Sequence, residues 1–146
     1  MARILGIDYG ERRMGLALSD EEGIVAMPLR VVEVTGDAQA AKAVQQVCRE
    51  TVPPPAEIVI GLPLHMSGEK GPMAEKVARF AEQLQARTGI PVRTWDERLS
   101  SSMVERVLLD ADMSRSRRKE VRDKLAAQVI LQGYLDSRPP PKGSES

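Results

Sequence analysis

The sequence predicts a single α/β domain in which three antiparallel strands, followed by two parallel ones, form a five-stranded mixed sheet flanked by helices. Three observations carry that prediction. At 146 residues the chain is long enough to bury one core and too short for two ordinary domains. Its first apolar runs are short and separated by Gly-rich turns, as in hairpins. Its later strand-like runs alternate with helical patterns, the order that gives parallel pairs with helices on the sheet faces.

Ile4-Leu5-Gly6-Ile7 reads as a buried strand ending at Asp8, and Tyr9 to Arg13 supplies the turn into a second strand, Met14 to Ser19. After the turn Asp20-Glu21-Glu22-Gly23, Ile24 to Val34 carries a third strand, and Pro28 within it marks an edge or a bulge. Asp37 is placed to cap a helix from Ala38 to about Glu50, with Ala40, Val44 and Val47 at helical spacing and Pro53-Pro54-Pro55 as its stop. Glu57 to Gly61 is a short β-rich run suited to the middle of a parallel sheet. A loop follows, Leu62 to Gly71. Pro72 suits the first turn of a helix whose stripe is Met73, Val77, Phe80, Ala81 and Leu84, ending near Thr88-Gly89. Val92 to Asp96 is the fifth strand. Ser102 with Glu105 forms a capping box for a helix that fades near Asp110, and the last helix runs from about Val121 to Leu135. The domain spans residues 1–138, and the Pro/Gly/Ser/Glu tail 139–146 is expected to be disordered.

Composition narrows the function classes. Twenty-one basic and twenty-one acidic residues cancel, so any affinity for a polyanion must come from local clustering. One Phe, two Tyr and one Trp leave little aromatic surface for stacking bases. A single Cys48 cannot form an internal disulfide, and no Cys/His cluster supports a structural zinc site, which points to the cytoplasm. The apolar run at the start is broken by Asp8 and is too brief for a secretion signal or a membrane span, so no targeting segment and no membrane association are expected.

Acids at the ends of apolar elements carry the chemistry. Asp8 closes a buried strand, where a carboxylate must be solvated, paired or bound to a cation. Gly6 shares its face by strand alternation and leaves room there for a helix or a substrate. Asp123 falls on the same helix face as Ala127, Ile130, Leu131 and Tyr134, so it points inward, and Ala126-Ala127 allow a close approach over Gly6. Asp96 or Glu97, following the fifth strand, supplies a third acid at the end of the sheet where parallel strands gather functional groups. Taken singly, each acid also fits a blander role: a turn cap for Asp8, a helix-dipole partner for Asp123, a surface pair with Arg98 for the third. Three carboxylates without His or Cys select hard cations, Mg²⁺ or Mn²⁺. The basic run Arg115, Arg117, Arg118, Lys119, Arg122 and Lys124 reads either as a solvated loop or as a rim that neutralises phosphates beside the acids.

Four blocks resemble the YqgF/RuvX family in order and spacing: Ile4 to Gly10; Ile58 to Leu64 with Gly68; Asp96 to Ser101; and Asp123 to Ala127 with Ile130-Leu131-Gln132. They cover almost the whole chain. The resemblance implies a bacterial protein of ribonuclease H-like fold, with the catalytic and metal-holding acids at Asp8, Glu97 and Asp123. It also implies phosphodiester hydrolysis, either in maturation of the 5′ end of pre-16S rRNA or as a Holliday junction resolvase in DNA recombination and repair. The better-known resolvases of this fold carry another acid three residues after the last aspartate, where Ala126 stands here. The block Gly61 to Gly68 fits a loop facing substrate, with Ser67 and backbone N–H groups near phosphate oxygens. Many family members have Asn where His65 stands, so His65 is a contact residue with a proton-transfer role left open. Together with Arg98 and the basic run from Arg115 to Arg122, these residues form the expected interface with structured RNA or branched DNA. A homodimer would matter for a four-way junction, whose symmetric cutting asks for two sites, and not for rRNA trimming.

Two rivals remain from the residues. One is the phosphate-binding half of an actin-like kinase or ATPase, which also opens with a strand, an Asp and Gly-rich turns but needs a second lobe. The other is a non-catalytic nucleic-acid-binding domain, which loss of the acids would mark. Cys48 and Trp95 read as packing residues.

Overall fold

The computed structural model describes residues 2–62, 71–96 and 115–137, and of Leu62, Asp96 and residues 115–124 the backbone alone. Its elements are β1 (Ile4–Asp8), β2 (Arg13–Ser19), β3 (Ala26–Glu33), α1 (Asp37–Glu50), β4 (Glu57–Leu62), α2 (Pro72–Thr88), β5 (Val92–Asp96) and α3 (Arg115–Ser137). The expected helix from Ser102 and the expected tail lie outside the described residues. The five strands form one sheet in the order β3-β2-β1-β4-β5. β1 pairs antiparallel with β2 and parallel with β4, and β4 pairs parallel with β5. The predicted mixed sheet is therefore observed, with β1 at its centre.

β3 occupies the edge, and Pro28 stands opposite Ala17 where the β2/β3 register shifts. A residue without an N–H is tolerated at such a place. α2 begins at Pro72 and ends at Gly89, whose φ of 74° lies in the left-handed region that glycine enters without strain.

Strand ends differ from the sequence reading by a residue or two, and two helix starts differ with a physical reason. The cap of α1 is Gly36, and Asp37 is already helical and makes no capping bond. Its Oδ1 accepts a hydrogen bond of 2.6 Å from the Tyr9 hydroxyl instead, while its charge still complements the helix dipole. α3 starts at Arg115 rather than near Val121. Apolar spacing sets the limits of a stripe, but Arg and Lys are good helix formers and carry the backbone beyond it.

Strand alternation divides the sheet into two faces. On one, Leu5, Ile7, Met14, Leu16, Ile58 and Ile60 pack under α1 and α2, meeting Val44, Val47, Val77, Phe80 and Leu84. On the other, Ile4, Ala17, Ala26 and Val59 pack under α3 against Ala127, Ile130, Leu131 and Leu135. Among the described residues no helix is long and apolar enough to cross a membrane.

Candidate active site

Gly6 decides how α3 lies. A methyl group built on it would sit 2.7 Å from Leu131 Cβ and 3.3 Å from the Ala127 carbonyl oxygen, so the helix backbone rests directly on β1. This is the close approach that Gly6 and Ala127 predict from sequence. Farther along the helix, Gln132 accepts a 2.8 Å bond from the Ala26 N–H and donates one of 3.0 Å to the Ile24 carbonyl, and Gln128 donates one of 3.1 Å to the Ala26 carbonyl. On its other flank the Tyr134 hydroxyl donates to Glu57, which also pairs with Arg93 Nε at 3.2 Å.

These anchors give the helix a direction. Glu57 is the register partner of Ile4, and Ala26 that of Ser19, so the C-terminal part of α3 lies over the start of β1 and the end of β2. α3 therefore runs against β1. One turn before Ala127 comes position 123, which this direction carries toward the C-terminal end of β1. There Asp8, two residues beyond Gly6, takes the same face by alternation and is partly buried. Asp8 is engaged in interactions within the fold. Its register partner across β2 is Gly15, which adds no side chain to that corner.

The parallel strands bring a second acid-bearing segment to the same edge. Ile7 aligns with Ile60 and Ile60 with Thr94, so Asp8 and the end of β5 at Asp96 share the C-terminal edge of the sheet. Trp95, just before that end, faces α3, packs edge-on against Tyr134 at 5.7 Å and is partly buried. Glu97, Arg98, His65 and Ser67 lie outside the described residues. Arg115, Arg117, Arg118, Lys119 and Arg122 fall in the first turns of α3, on the same helix as position 123. The stretch that bears them is helix rather than loop.

Among the described residues no three His, Cys, Asp or Glu side chains gather closely enough to hold a metal ion. Asp8 offers hard oxygen donors suited to Mg²⁺ or Mn²⁺. Cys48, on the inward side of α1, is buried on the opposite face, where burial pushes its thiol up to about 11, so it adds no soft donor to this corner.

A feature that the sequence does not announce adjoins this edge. A cleft of about 330 Å³ is lined by Tyr9, Glu11, Gly36, Asp37, Lys76 and Arg79, among others. Burial, then the bond to Asp37, raises the Tyr9 hydroxyl well above the usual tyrosine range. Lys76 donates to Glu11 at 2.6 Å and lowers its carboxyl. Only contacts across the turn and between helices create this cluster, so no motif could have pointed to it.

The family model RuvX, described as "Holliday junction resolvase", matches residues 2–137. The chain belongs to the RuvX family. Relatives from Desulforudis audaxviator and Syntrophomonas wolfei, each named "Putative pre-16S rRNA nuclease", are 43% and 48% identical to it, covering 93% and 92% of this chain and 95% and 94% of theirs. Among solved structures, T. thermophilus RuvC in complex with Holliday junction substrate aligns at a TM-score of 0.59 and 16% identity, over 97% of this chain and 100% of that one. The fowlpox virus Holliday junction resolvase aligns at 0.55 and 12% identity, over 93% and 99%. These likenesses show a shared fold, the ribonuclease H-like one expected from the sequence. Family membership makes the chain a nuclease-family hydrolase of phosphodiester bonds and displaces the kinase-lobe reading.

Proposed function

We propose that this chain is a metal-dependent nuclease that matures the 5′ end of pre-16S rRNA in the cytoplasm, with Asp8, Glu97 and Asp123 holding Mg²⁺ or Mn²⁺. The observation that supports it most is the passage of α3 over Gly6 against the direction of β1, which sends position 123 toward the end of the strand where Asp8 stands. Glu97 follows Asp96 in the chain and comes two residues after Trp95, a side chain on the α3 face. The substrate is drawn from the relatives' names.

Bound divalent ions would polarise the phosphoryl oxygens, lower the pKa of an attacking water and steady the leaving oxygen. The chain's own residues have simpler tasks. Asp8 presents carboxylate oxygens from a rigid central strand, and the close packing of α3 fixes the distance to its partner at position 123. Arg98, Arg115, Arg117, Arg118, Lys119 and Arg122 neutralise backbone phosphates on either side of the cut, and His65 and Ser67 contact them from the preceding loop. Junction DNA is the second reading, favoured by the description of the family model. It also asks for a homodimer with two sites.

Purified wild type and Asp8→Asn, each with Mg²⁺ or Mn²⁺, are compared on a precursor RNA spanning the 16S 5′ end and on a synthetic four-way junction. The expected outcome is cutting of the RNA by wild type and a loss of more than about 100-fold in Asp8→Asn, since removing a ligand exceeds the usual penalty for disturbing its surroundings. Junction cutting alone would turn the proposal to the second reading, and undiminished cutting by Asp8→Asn would end it.

A further inference from the structure

We infer that Arg13, at the start of β2, is a substrate-binding residue whose guanidinium contacts a phosphate of the nucleic acid close to Asp8. This rests on the nuclease reading above and deepens it. Gly15 and Ala17 lie on the α3 face of β2, with Ala17 in the core beneath that helix. Alternation gives Arg13 the same face. Met14 and Leu16 between them belong to the opposite core.

Position within the sheet adds to this. Asp8 pairs with Gly15, so Arg13 is only two residues from Asp8's register partner, at the same edge of the sheet. Glycine at 15 leaves the floor between them without a side chain. At Gly10 the turn is so tight that any side chain there would run into the Arg13 carbonyl, which fixes the backbone from which Arg13 projects. Arg13 is partly buried and engaged within the fold. Its planar guanidinium is suited to bidentate phosphate contact. The N-terminal turns of α3, which carry Arg115, Arg117 and Arg118, extend toward this same end of the sheet. Arg13 thus adds a cation from the sheet, beside Asp8, to those that the sequence puts on the first turns of the helix.

The competing role is structural: Arg13 stands directly opposite Glu33 in the β2/β3 register and can serve as its counter-ion. Binding separates the two. Full-length Asp8→Asn protein, unable to cut, is titrated without divalent metal against a fluorescent RNA spanning the 16S 5′ end and against a four-way DNA junction at several salt concentrations. Added to that background, Arg13→Gln should weaken binding by about 10-fold or more and reduce the slope of log affinity against log salt by about one phosphate's worth, roughly 0.7 to 0.9. Glu33→Gln should leave both unchanged. If Arg13→Gln fails to fold, Arg13→Lys carries the test: it keeps the charge and the salt slope, and should lose about threefold or more in affinity with the bidentate contact. Parent-like affinity in whichever variant folds, or an equal loss in Glu33→Gln, overturns the inference. Failure of the nuclease reading looks different: the parent binds neither nucleic acid and wild type cuts neither.

Discussion

The two faces of the sheet are built on different terms. Beneath α1 and α2 the side chains are large, with Phe80, Leu84, Met14 and five isoleucines or leucines of the central strands fully buried. Beneath α3 large side chains such as Ile4, Ile130 and Leu131 are interspersed with small ones, Ala17, Ala26 and Ala127, and Gly6 lets the helix backbone touch the sheet. Large side chains bury more apolar area and so contribute most of the stability. Small ones contribute little area but fix a distance. The nuclease acids are assigned to the face where distance is fixed, which teaches that one face of this protein holds the fold and the other holds the geometry.

Substitutions can break that division. Phe80→Ala removes the largest fully buried side chain of the first face and should cost about 3 to 5 kcal/mol in denaturant unfolding. Cleavage per folded molecule should stay near the parent value; a large loss in kcat without unfolding would mean that the faces are not separate. Gly6→Ala should behave in the opposite manner. Its methyl group meets Leu131 Cβ and backbone rather than a yielding side-chain end, so α3 must shift, costing about 1 to 3 kcal/mol. A shift of about 1 Å can cost about 100-fold in rate, so activity should fall more than in Phe80→Ala although less stability is lost. Equal effects on activity would dissolve the comparison.

The same contrast explains what could be read in the sequence. The first face is written in aliphatic runs with clear periods, so Ile58 to Ile60 and most of the stripe of α2 are legible, although Ala74 rather than the expected Met73 begins its buried side. On the second face Gly6 and Ala127 signal a close approach only because both are small at facing positions. The start of α3 is not legible, since its first turns bear Arg and Lys rather than an apolar stripe. Asp37 misleads for a different reason: an acid before a helical stripe is a good cap, and only the fold brings the Tyr9 hydroxyl within reach of it. Arg13 is unmarked because an arginine at a strand's start resembles any turn residue until α3 is known to cover the odd-numbered positions of β2. Glu97, His65 and Ser67 rest on motif resemblance, for no periodic pattern positions a loop residue.

Gln132→Ala sharpens the comparison at the far end of α3. It removes the bonds to the Ala26 N–H and the Ile24 carbonyl, and that to Asp136 Oδ1, costing about 1 kcal/mol because solvent can reach this edge and replace part of what is lost. If the helix is positioned mainly by its contact with Gly6, cleavage should change less than in Gly6→Ala. A larger loss would move the control of the site's geometry to the edge of β3.

Tyr9→Phe should have the smallest effect and tests whether the first face touches the site at all. Tyr9 follows Asp8 but lies on the α1/α2 side, edge-on to Phe80 at 5.0 Å, with its hydroxyl bonded to Asp37. Losing that bond should cost about 0.5 to 1.5 kcal/mol near neutral pH. The pH dependence gives a sharper signature. Burial and the neighbouring carboxylates raise the folded-state pKa above the unfolded value of about 10, so the folded protein keeps a proton that the unfolded chain releases. This contribution is complete below about pH 10 and is lost as the pH rises toward the folded value, making the wild type fall more steeply in stability on the alkaline side than Tyr9→Phe. Melting curves from pH 8 to 11 check it. Parallel curves would mean that the hydroxyl titrates normally and that Asp37 does not hold it. If kcat also stays at the parent value across that range, the bond belongs to the face that carries the fold, one residue along the strand from the acid assigned to the chemistry.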